Sequence, residues 1–181
     1  SMIGSLPSYT QLGMASLLPK KEKISFKEGS DLILVDNIPA SGVDGRSKIL
    51  EANSGCRATA IQAEKFMKMN SISDGRSFAK SYDVIYLYSN LIDKTGDDKT
   101  SEDRVFEAVN QELENLIDLI KKIAAVNGNN ILITSDHGFI YQHHNIDESD
   151  FSKSNFTGTL WKSNRRFVIG TSIQSDETCK S

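Results

Sequence analysis

The sequence is poor in cysteine, proline and tryptophan, with two, three and one of these residues among 181. Cys56 and Cys179 lie far apart and lack the spacing of a metal site, so they indicate free thiols in a reducing compartment. No apolar run approaches the roughly 20 residues that a membrane-spanning helix needs. The net charge of −3 gives no global indication of nucleic acid or an anionic membrane as a partner.

The composition, 38% hydrophobic and 25% charged, is that of an ordinary globular domain. The length suffices for one domain, or most of one, with a real core. The chain begins and ends without obvious helix caps, so we expect it to be an excised part of a larger protein. The free thiols favour a cytoplasmic location.

The apolar, β-branched run at residues 131–135 ends abruptly in Asp136, His137 and Gly138. Such a run predicts a buried strand, and ligands bind at the carboxyl ends of strands in open α/β sheets. Gly138 would permit a turn that brings both side chains to one point. Asp with His suits zinc or manganese. The alternative is that Asp136 caps a turn and His137 is an ordinary polar residue.

A second predicted strand, at residues 83–88, precedes Asp93 and Asp97. A long amphipathic helix follows, capped by Thr100 or Ser101 and ended by Gly128. Its predicted apolar stripe comprises Val105, Phe106, Val109, Leu113, Leu116, Ile117, Ile120 and Ala124. Strand, helix and the 131–135 strand form a βαβ unit, so the two acidic clusters should share one edge of a parallel sheet.

Residues 7–19 predict a short helix that places Thr10 in its first turn, where the helix dipole attracts anions. The alternative is that Ser8 or Thr10 is simply an N-cap. Three further elements are predicted from composition: a strand at 32–36, a helix at 58–69 and an antiparallel or edge strand at 166–170.

The candidate site residues are Thr10, Asp93, Asp97, Asp136 and His137. Hard oxygen ligands with an imidazole suit one divalent cation, and a cluster of this size suits two. Two metals flanking a phosphoryl group stabilise its attacking and leaving oxygens, and a threonine hydroxyl held by one of them becomes nucleophilic. The alternative for Asp93 and Asp97 is a solvated turn.

Three motifs together resemble one family: PSYTQLGMASLLP at 7–19, YLYSNLIDKTGD at 86–97 and TSDHGFIY at 134–141. They are similar to motifs of the PglZ domain of the alkaline phosphatase superfamily. They occur along this chain in the same order as in that family. The resemblance implies an α/β fold with a mostly parallel central sheet flanked by helices, of which residues 1–181 would be a single partial domain, truncated at both ends. It also implies a cytoplasmic bacterial role in phage-resistance systems of the BREX type.

By this resemblance Thr10 is the nucleophile, and Asp136 and His137 hold the metal nearest to it. Asp93 and Asp97 hold a second metal, with Asp97 where many superfamily members have histidine. The cofactor is a divalent metal, with zinc favoured over manganese or magnesium. Ser89 departs from the family, which usually has histidine there.

The leading hypothesis is metal-dependent hydrolysis of a phosphate, phosphodiester or related ester by a phage-defence protein, with this chain inactive alone. The alternative is a non-catalytic module that binds metal or a partner during assembly of a defence complex. A third, weaker possibility is nuclease activity from the same chemistry. The expected partners are the ester substrate and other defence subunits, with no membrane and with nucleic acid left open.

Overall fold

The computed structural model describes residues 6–90, 105–138, 155–164 and 167–175 of the chain. The chain forms two compact units, one of Ser1–Ser41 with Ser135–Ser181 and the other of Gly42–Thr134. Both combine helix with small sheets, in agreement with the predicted α/β class. The described elements are α1 (Thr10–Ser16), β1 (Ile24–Phe26), β2 (Ile33–Val35), β3 (Ile38–Pro39), α2 (Gly42–Asn53), β4 (Ala58–Gln62), α3 (Ala63–Met67), a π-helical turn (Ser71–Gly75), α4 (Arg76–Ser81), β5 (Val84–Tyr88), α5 (Val105–Ala125), β6 (Phe156–Ser163) and β7 (Val168–Ser175).

The first unit contains α1 and two antiparallel sheets. β2 is the middle strand of β1–β2–β3, and β6 pairs with β7. A two-residue turn at Asp36 and Asn37 joins β2 to β3, and the φ angles of these residues, 50° and 67°, are typical of the type I′ turn that fits a twisted hairpin. The strands predicted at 32–36 and 166–170 are therefore confirmed as β2 and β7, the latter antiparallel as expected.

The second unit is built on the parallel pair β4–β5. The chain passes between these strands through α3, the π-helical turn and α4, because parallel strands need a long crossover. The strand predicted at 83–88 is confirmed as β5. One core cluster of this unit is formed by the buried side chains of Ile61, Phe66, Leu119 and Val126. Within the described ranges this sheet has two strands, so a central, mostly parallel sheet is not found there.

The helix predicted at 58–69 is wrong in its first half, because residues 58–62 form strand β4. Alanine favours helices, but this preference is weak and tertiary pairing overrides it. β4 pairs along its whole length with β5. On its other side the Ser47 hydroxyl of α2 accepts a hydrogen bond from the Ala60 N–H at 2.9 Å. The short side chains of Ala58 and Ala60 are buried here, where a helix packs closely on the strand.

The buried strand predicted at residues 131–135 is also wrong. These residues belong to no helix or strand, and Leu132 is 90% exposed. A strand is stabilised by hydrogen bonds to a neighbouring strand, and an apolar sequence supplies the tendency to pair without specifying the neighbour. The predicted βαβ unit from β5 through α5 is consequently not formed in the described residues. The parallel connection observed runs from β4 to β5 instead.

The long predicted helix is confirmed as α5, although its proposed caps, Thr100 and Ser101, lie outside the described residues. The predicted apolar stripe is shifted from the buried face: it shares Leu116 with that face, but Leu113 is 56% and Ile117 is 53% exposed. The face that contacts the core carries Leu116, Leu119, Ile123 and Val126. Two apolar stripes lie side by side on this helix, and only the neighbouring elements decide which one is buried.

A Schellman motif ends α5. The Asn127 N–H donates to the Ala124 carbonyl at 3.0 Å, and the Gly128 N–H donates to the Ile123 carbonyl at 2.8 Å. Asn127 has a φ of 70° and so occupies the left-handed position that often follows a helix. Gly128 therefore marks the helix end as predicted, one residue beyond the left-handed position. Among the helices in the described ranges, none combines the length and apolarity that crossing a membrane requires.

Candidate functional site

Thr10 is the first residue of α1, and its hydroxyl lies beside the His137 ring. Thr10 Oγ1 is 3.1 Å from His137 Nε2. The N-cap residue of α1 is Tyr9, and its side chain makes no capping hydrogen bond. The interpretation of Ser8 or Thr10 as an N-cap is therefore wrong. The position of Thr10 at a helix start is confirmed, and its hydroxyl is available for chemistry at the His137 ring.

Asp136 is a buried carboxylate, 9% exposed, that adjoins the same ring. Its Oδ2 atom lies 3.3 Å from His137 Nε2. This oxygen is shielded from solvent and accepts no hydrogen bond from the part of the chain that the structure describes. A buried carboxylate oxygen without a donor is costly, so this position favours a bound cation.

The other ring nitrogen fixes the orientation of His137. Nδ1 is 3.1 Å from the Gly138 carbonyl oxygen. A carbonyl oxygen can only accept, so Nδ1 carries a hydrogen and donates it, and in a neutral imidazole Nε2 is then the acceptor. Nε2 accepts the Thr10 hydroxyl hydrogen, and its lone pair also lies close to Asp136 Oδ2. Metal-ligating histidines are commonly oriented in this way by a partner on their other nitrogen.

The spacing of these donor atoms fits a small divalent cation. With bonds of about 2.0 Å to zinc, neighbouring ligand atoms of a tetrahedron lie about 3.3 Å apart. His137 Nε2 lies 3.1 Å from Thr10 Oγ1 and 3.3 Å from Asp136 Oδ2. The donor types, one hydroxyl, one carboxylate and one imidazole, suit zinc or manganese. Among the residues described, no group of three or more His, Cys, Asp or Glu side chains gathers at one point.

Gly13 brings α1 against the backbone of Asp136. A Cβ atom at residue 13 would lie 2.7 Å from the Asp136 carbonyl oxygen and 2.9 Å from the Asp136 Cβ. Only glycine permits this approach, which sets the helix beside Asp136 and His137. Gly138, which we expected to permit a turn, does not take a left-handed conformation, and a Cβ there would meet nothing within 4 Å.

We expect Gly13→Ala to lower the free energy of unfolding. Alanine gains about 1 kcal/mol over glycine within a helix, but forcing a methyl group against backbone typically costs about 1–3 kcal/mol. Gly138→Ala is the matched control and should change stability by less than about 0.5 kcal/mol. Thermal unfolding of the two variants checks this. A Gly13→Ala variant with a higher melting temperature than wild type would contradict the close approach.

The second predicted metal cluster, Asp93 and Asp97, lies outside the described residues. What is described is the strand end that precedes it. The Arg46 guanidinium stacks over the Tyr88 ring, 4.7 Å from its centroid. Burial raises the pKa of Tyr88 to about 12. The Ser89 hydroxyl donates to the Glu112 carboxylate on α5.

A polar cluster that was not predicted lies next to Thr10 and is formed by Tyr9, Asp31 and Lys162. The Tyr9 hydroxyl donates to Asp31 Oδ2 at 3.0 Å, and Lys162 Nζ donates to the same oxygen at 2.6 Å. Lys162 and Asp31 are 131 positions apart in the sequence. No local pattern signals this cluster, because it depends on the pairing of remote segments.

Comparison with known proteins identifies relatives of the chain. Residues 1–181 match the family described as the BREX system PglZ alkaline phosphatase-like domain. The alkaline phosphatase-like protein BrxZ of Escherichia coli O9:H4 (strain HS) is 34% identical over 99% of this chain. The alkaline phosphatase-like protein PglZ of Bacillus cereus (strain H3081.97) is 39% identical over 98% of it. The chain spans 20% of the length of each relative. No solved structure matches the chain.

Proposed function

Because the chain belongs to the PglZ family of alkaline phosphatase-like domains found in BREX systems, we propose that it carries part of a metal-dependent hydrolase site for phosphate or phosphodiester groups. The observation that carries this proposal is the convergence of three donor atoms at the start of α1: Thr10 Oγ1, Asp136 Oδ2 and His137 Nε2. Thr10 is the proposed nucleophile. In this proposal the protein acts within a phage-defence system.

Two of these three residues are the proposed metal ligands. Asp136 and His137 would hold a divalent cation next to Thr10, with zinc favoured over manganese or magnesium. Such a cation supplies positive charge that favours an ionised nucleophile and the negative charge on the phosphoryl oxygens. Asp93 and Asp97 are the proposed ligands of a second cation. Asp136 Oδ2 is buried and accepts no hydrogen bond from the described residues, which supports the first assignment.

The proposed reaction has two steps that regenerate the enzyme. Thr10 Oγ1 forms a bond to phosphorus while the bond from phosphorus to the leaving alcohol breaks, and the alcohol takes up a proton. Water then attacks the phosphothreonine ester: its oxygen joins phosphorus, the bond from phosphorus to Thr10 Oγ1 breaks, phosphate is released, and a proton from the water restores the Thr10 hydroxyl. The 3.1 Å separation of Thr10 Oγ1 and His137 Nε2 places the hydroxyl beside the proposed cation site before the attack. Holding the attacking oxygen in one position is the main contribution of the described residues.

The test uses the natural protein that contains this chain, at its full length. We expect turnover of p-nitrophenyl phosphate or its bis-ester that is lost on chelation and restored by zinc or manganese. Asp136→Asn and His137→Gln should each weaken metal binding, measured by calorimetry, by about 10-fold or more. Asp83→Asn, on the surface of the second unit, is the control and should leave metal affinity unchanged. Turnover that survives complete chelation would contradict the proposal.

A binding role in assembly of a defence complex is the second candidate. It is favoured by large apolar side chains on the surface of the second unit, with Leu132 being 90% exposed. Exposed apolar side chains of this kind are typical of protein–protein contacts. This candidate predicts a full-length protein that binds metal normally and turns over neither ester. The assays above therefore distinguish the two functions.

A further inference from the structure

Tyr9, the residue before Thr10, is held by side chains from two other segments of the first unit. The Tyr9 hydroxyl donates to Asp31 Oδ2 at 3.0 Å. Lys162, on β6, donates to the same oxygen at 2.6 Å and to the Tyr9 hydroxyl oxygen at 3.3 Å. Its Nζ also lies 4.8 Å from the centre of the Tyr9 ring, where a cation is attracted to the aromatic face. All three side chains therefore contact one another.

The Tyr9 ring is buried and packed as well as hydrogen-bonded. Its centroid lies 5.0 Å from that of Phe167, which is itself buried. The Tyr9 carbonyl also accepts the Gly13 N–H at 2.9 Å, within the first turn of α1. A shift of Tyr9 would therefore move the first turn of the helix and the Thr10 hydroxyl with it.

α1 needs such an external anchor because it is too short to hold its own position. It has seven residues and no side-chain cap at its N-terminus. Isolated helices of this length are not stable in water, so contacts with the rest of the unit must fix it. Gly13 against Asp136 supplies one fixed point in the middle of the helix. The cluster at Tyr9 supplies another immediately before Thr10.

We propose that Tyr9, Asp31 and Lys162 are positioning residues, which hold the start of α1 so that Thr10 Oγ1 stays within reach of His137 and of the substrate. This inference rests on the proposed function, since it assigns the cluster to the same reaction. None of the three is a catalytic residue here. They act through the backbone at Tyr9, and their effect on rate follows from the position of Thr10.

The electrostatics of the cluster suit a geometric role. The Lys162 ammonium holds the pKa of the Asp31 carboxyl below its usual range, and Asp31 raises the pKa of Lys162. Both side chains are partly exposed, 37% for Asp31 and 39% for Lys162, and such ion pairs contribute little to stability. Their charge-assisted hydrogen bonds are nevertheless directional, so they can fix the Tyr9 hydroxyl without adding much to the unfolding free energy.

The kinetic test compares Tyr9→Phe, Lys162→Met and Lys162→Arg in the full-length protein. Tyr9→Phe keeps the ring and removes the hydroxyl, and Lys162→Met keeps the length and removes the charge. We expect kcat to fall about 10- to 100-fold in both, with KM within about 3-fold of wild type, because misplacing a reacting group by about 1 Å costs rate rather than binding. Lys162→Arg keeps the ion pair and should recover at least half of the wild-type kcat.

The matched control is the Arg57–Asp83 ion pair of the second unit, whose oxygen and nitrogen atoms are 2.8 Å apart. Asp83→Asn removes an ion pair of the same kind within the second unit and should leave kcat unchanged. Equal losses of kcat in Asp83→Asn and Lys162→Met would overturn the proposal, because the effect would then be general. An unchanged kcat in both Tyr9→Phe and Lys162→Met would overturn it as well.

A second measurement does not depend on activity. Hydrogen–deuterium exchange of the α1 peptide, followed by mass spectrometry on metal-free full-length protein, should be at least about 5-fold faster in Lys162→Met than in wild type or Asp83→Asn. If wild type hydrolyses no ester, the proposed function fails, and faster exchange would still support the anchoring of α1. Unchanged α1 exchange in Lys162→Met would overturn the positioning role whether or not the protein is an enzyme.

Discussion

Replacing Thr10 with alanine in the full-length protein is expected to lower kcat for ester hydrolysis by about 10³- to 10⁶-fold, the range seen when a nucleophile is removed. The Thr10 hydroxyl is 3.1 Å from His137 Nε2 and is not used to cap its own helix. Its loss removes the attacking atom and leaves α1 in place, because Gly13 and Tyr9 fix the helix. Steady-state kinetics together with a thermal melt would check both parts of this expectation.

Two variants of the same helix serve as controls for Thr10→Ala. Thr10→Ser keeps a hydroxyl at the site and should retain activity to within about 10-fold, since it keeps the attacking oxygen. Ser16→Ala removes a hydroxyl from the other end of α1, where it donates to the Leu12 carbonyl at 2.8 Å. That variant should hydrolyse the ester at the wild-type rate. Near-normal turnover by Thr10→Ala would assign the attack to a water molecule.

Leu119→Asp is expected to unfold the second unit. Leu119 is 9% exposed and belongs to the core with Phe66 and Val126. Burying an unpaired carboxylate costs several kcal/mol, which is comparable to the roughly 5–15 kcal/mol of total stability of a domain. In a urea titration monitored by circular dichroism, most of the helical signal should already be absent at zero urea.

Leu113→Asp is the matched control, because it makes the same substitution on the same helix at a residue that is 56% exposed. It should change the free energy of unfolding by no more than about 0.5 kcal/mol. Leu116→Asp should fall between the two, since Leu116 is only partly buried against the core. Equal effects at residues 113 and 119 would show that the buried face of α5 is assigned incorrectly.

The features that could be predicted from the sequence depend on local interactions. The short helix that begins at Thr10 is bounded by proline residues, and the left-handed turn that ends α5 lies where an Asn-Gly pair follows an apolar run. β5 was predicted correctly from its branched and aromatic residues, which favour a strand. In each case a few adjacent residues determine the conformation.

The errors arise where a remote partner decides the outcome. Residues 58–62 are a strand because β5 lies beside them, and residues 131–135 are not, although their composition favours a strand more strongly. The buried face of α5 was wrongly phased for the same reason, since Leu113 and Leu119 are equally apolar and only the neighbouring core separates them. The periodicity of apolar residues shows that a helix has an apolar face. It does not show which neighbouring element that face contacts.

The candidate site was partly predictable. Asp136 and His137 could be identified because an acidic residue and an imidazole follow an apolar run, and Thr10 because it begins a helix. The structure brings Thr10 and His137 together across 127 positions of sequence. The distance between them, the role of Gly13 and the whole Tyr9 cluster could not be predicted, because each depends on how distant segments pack. The roles of Asp93 and Asp97 remain predictions.

The Schellman motif at the end of α5 also affects how readily Asn127 deamidates. In an Asn-Gly pair the glycine nitrogen readily attacks the preceding side-chain amide, forming a succinimide that opens to aspartate or isoaspartate. Here the Gly128 nitrogen is engaged with the Ile123 carbonyl at 2.8 Å, and Asn127 is held at a φ of 70°. The nitrogen must leave this hydrogen bond before it can attack. The rate of Asn127 deamidation in stored protein therefore depends on how often the end of α5 opens.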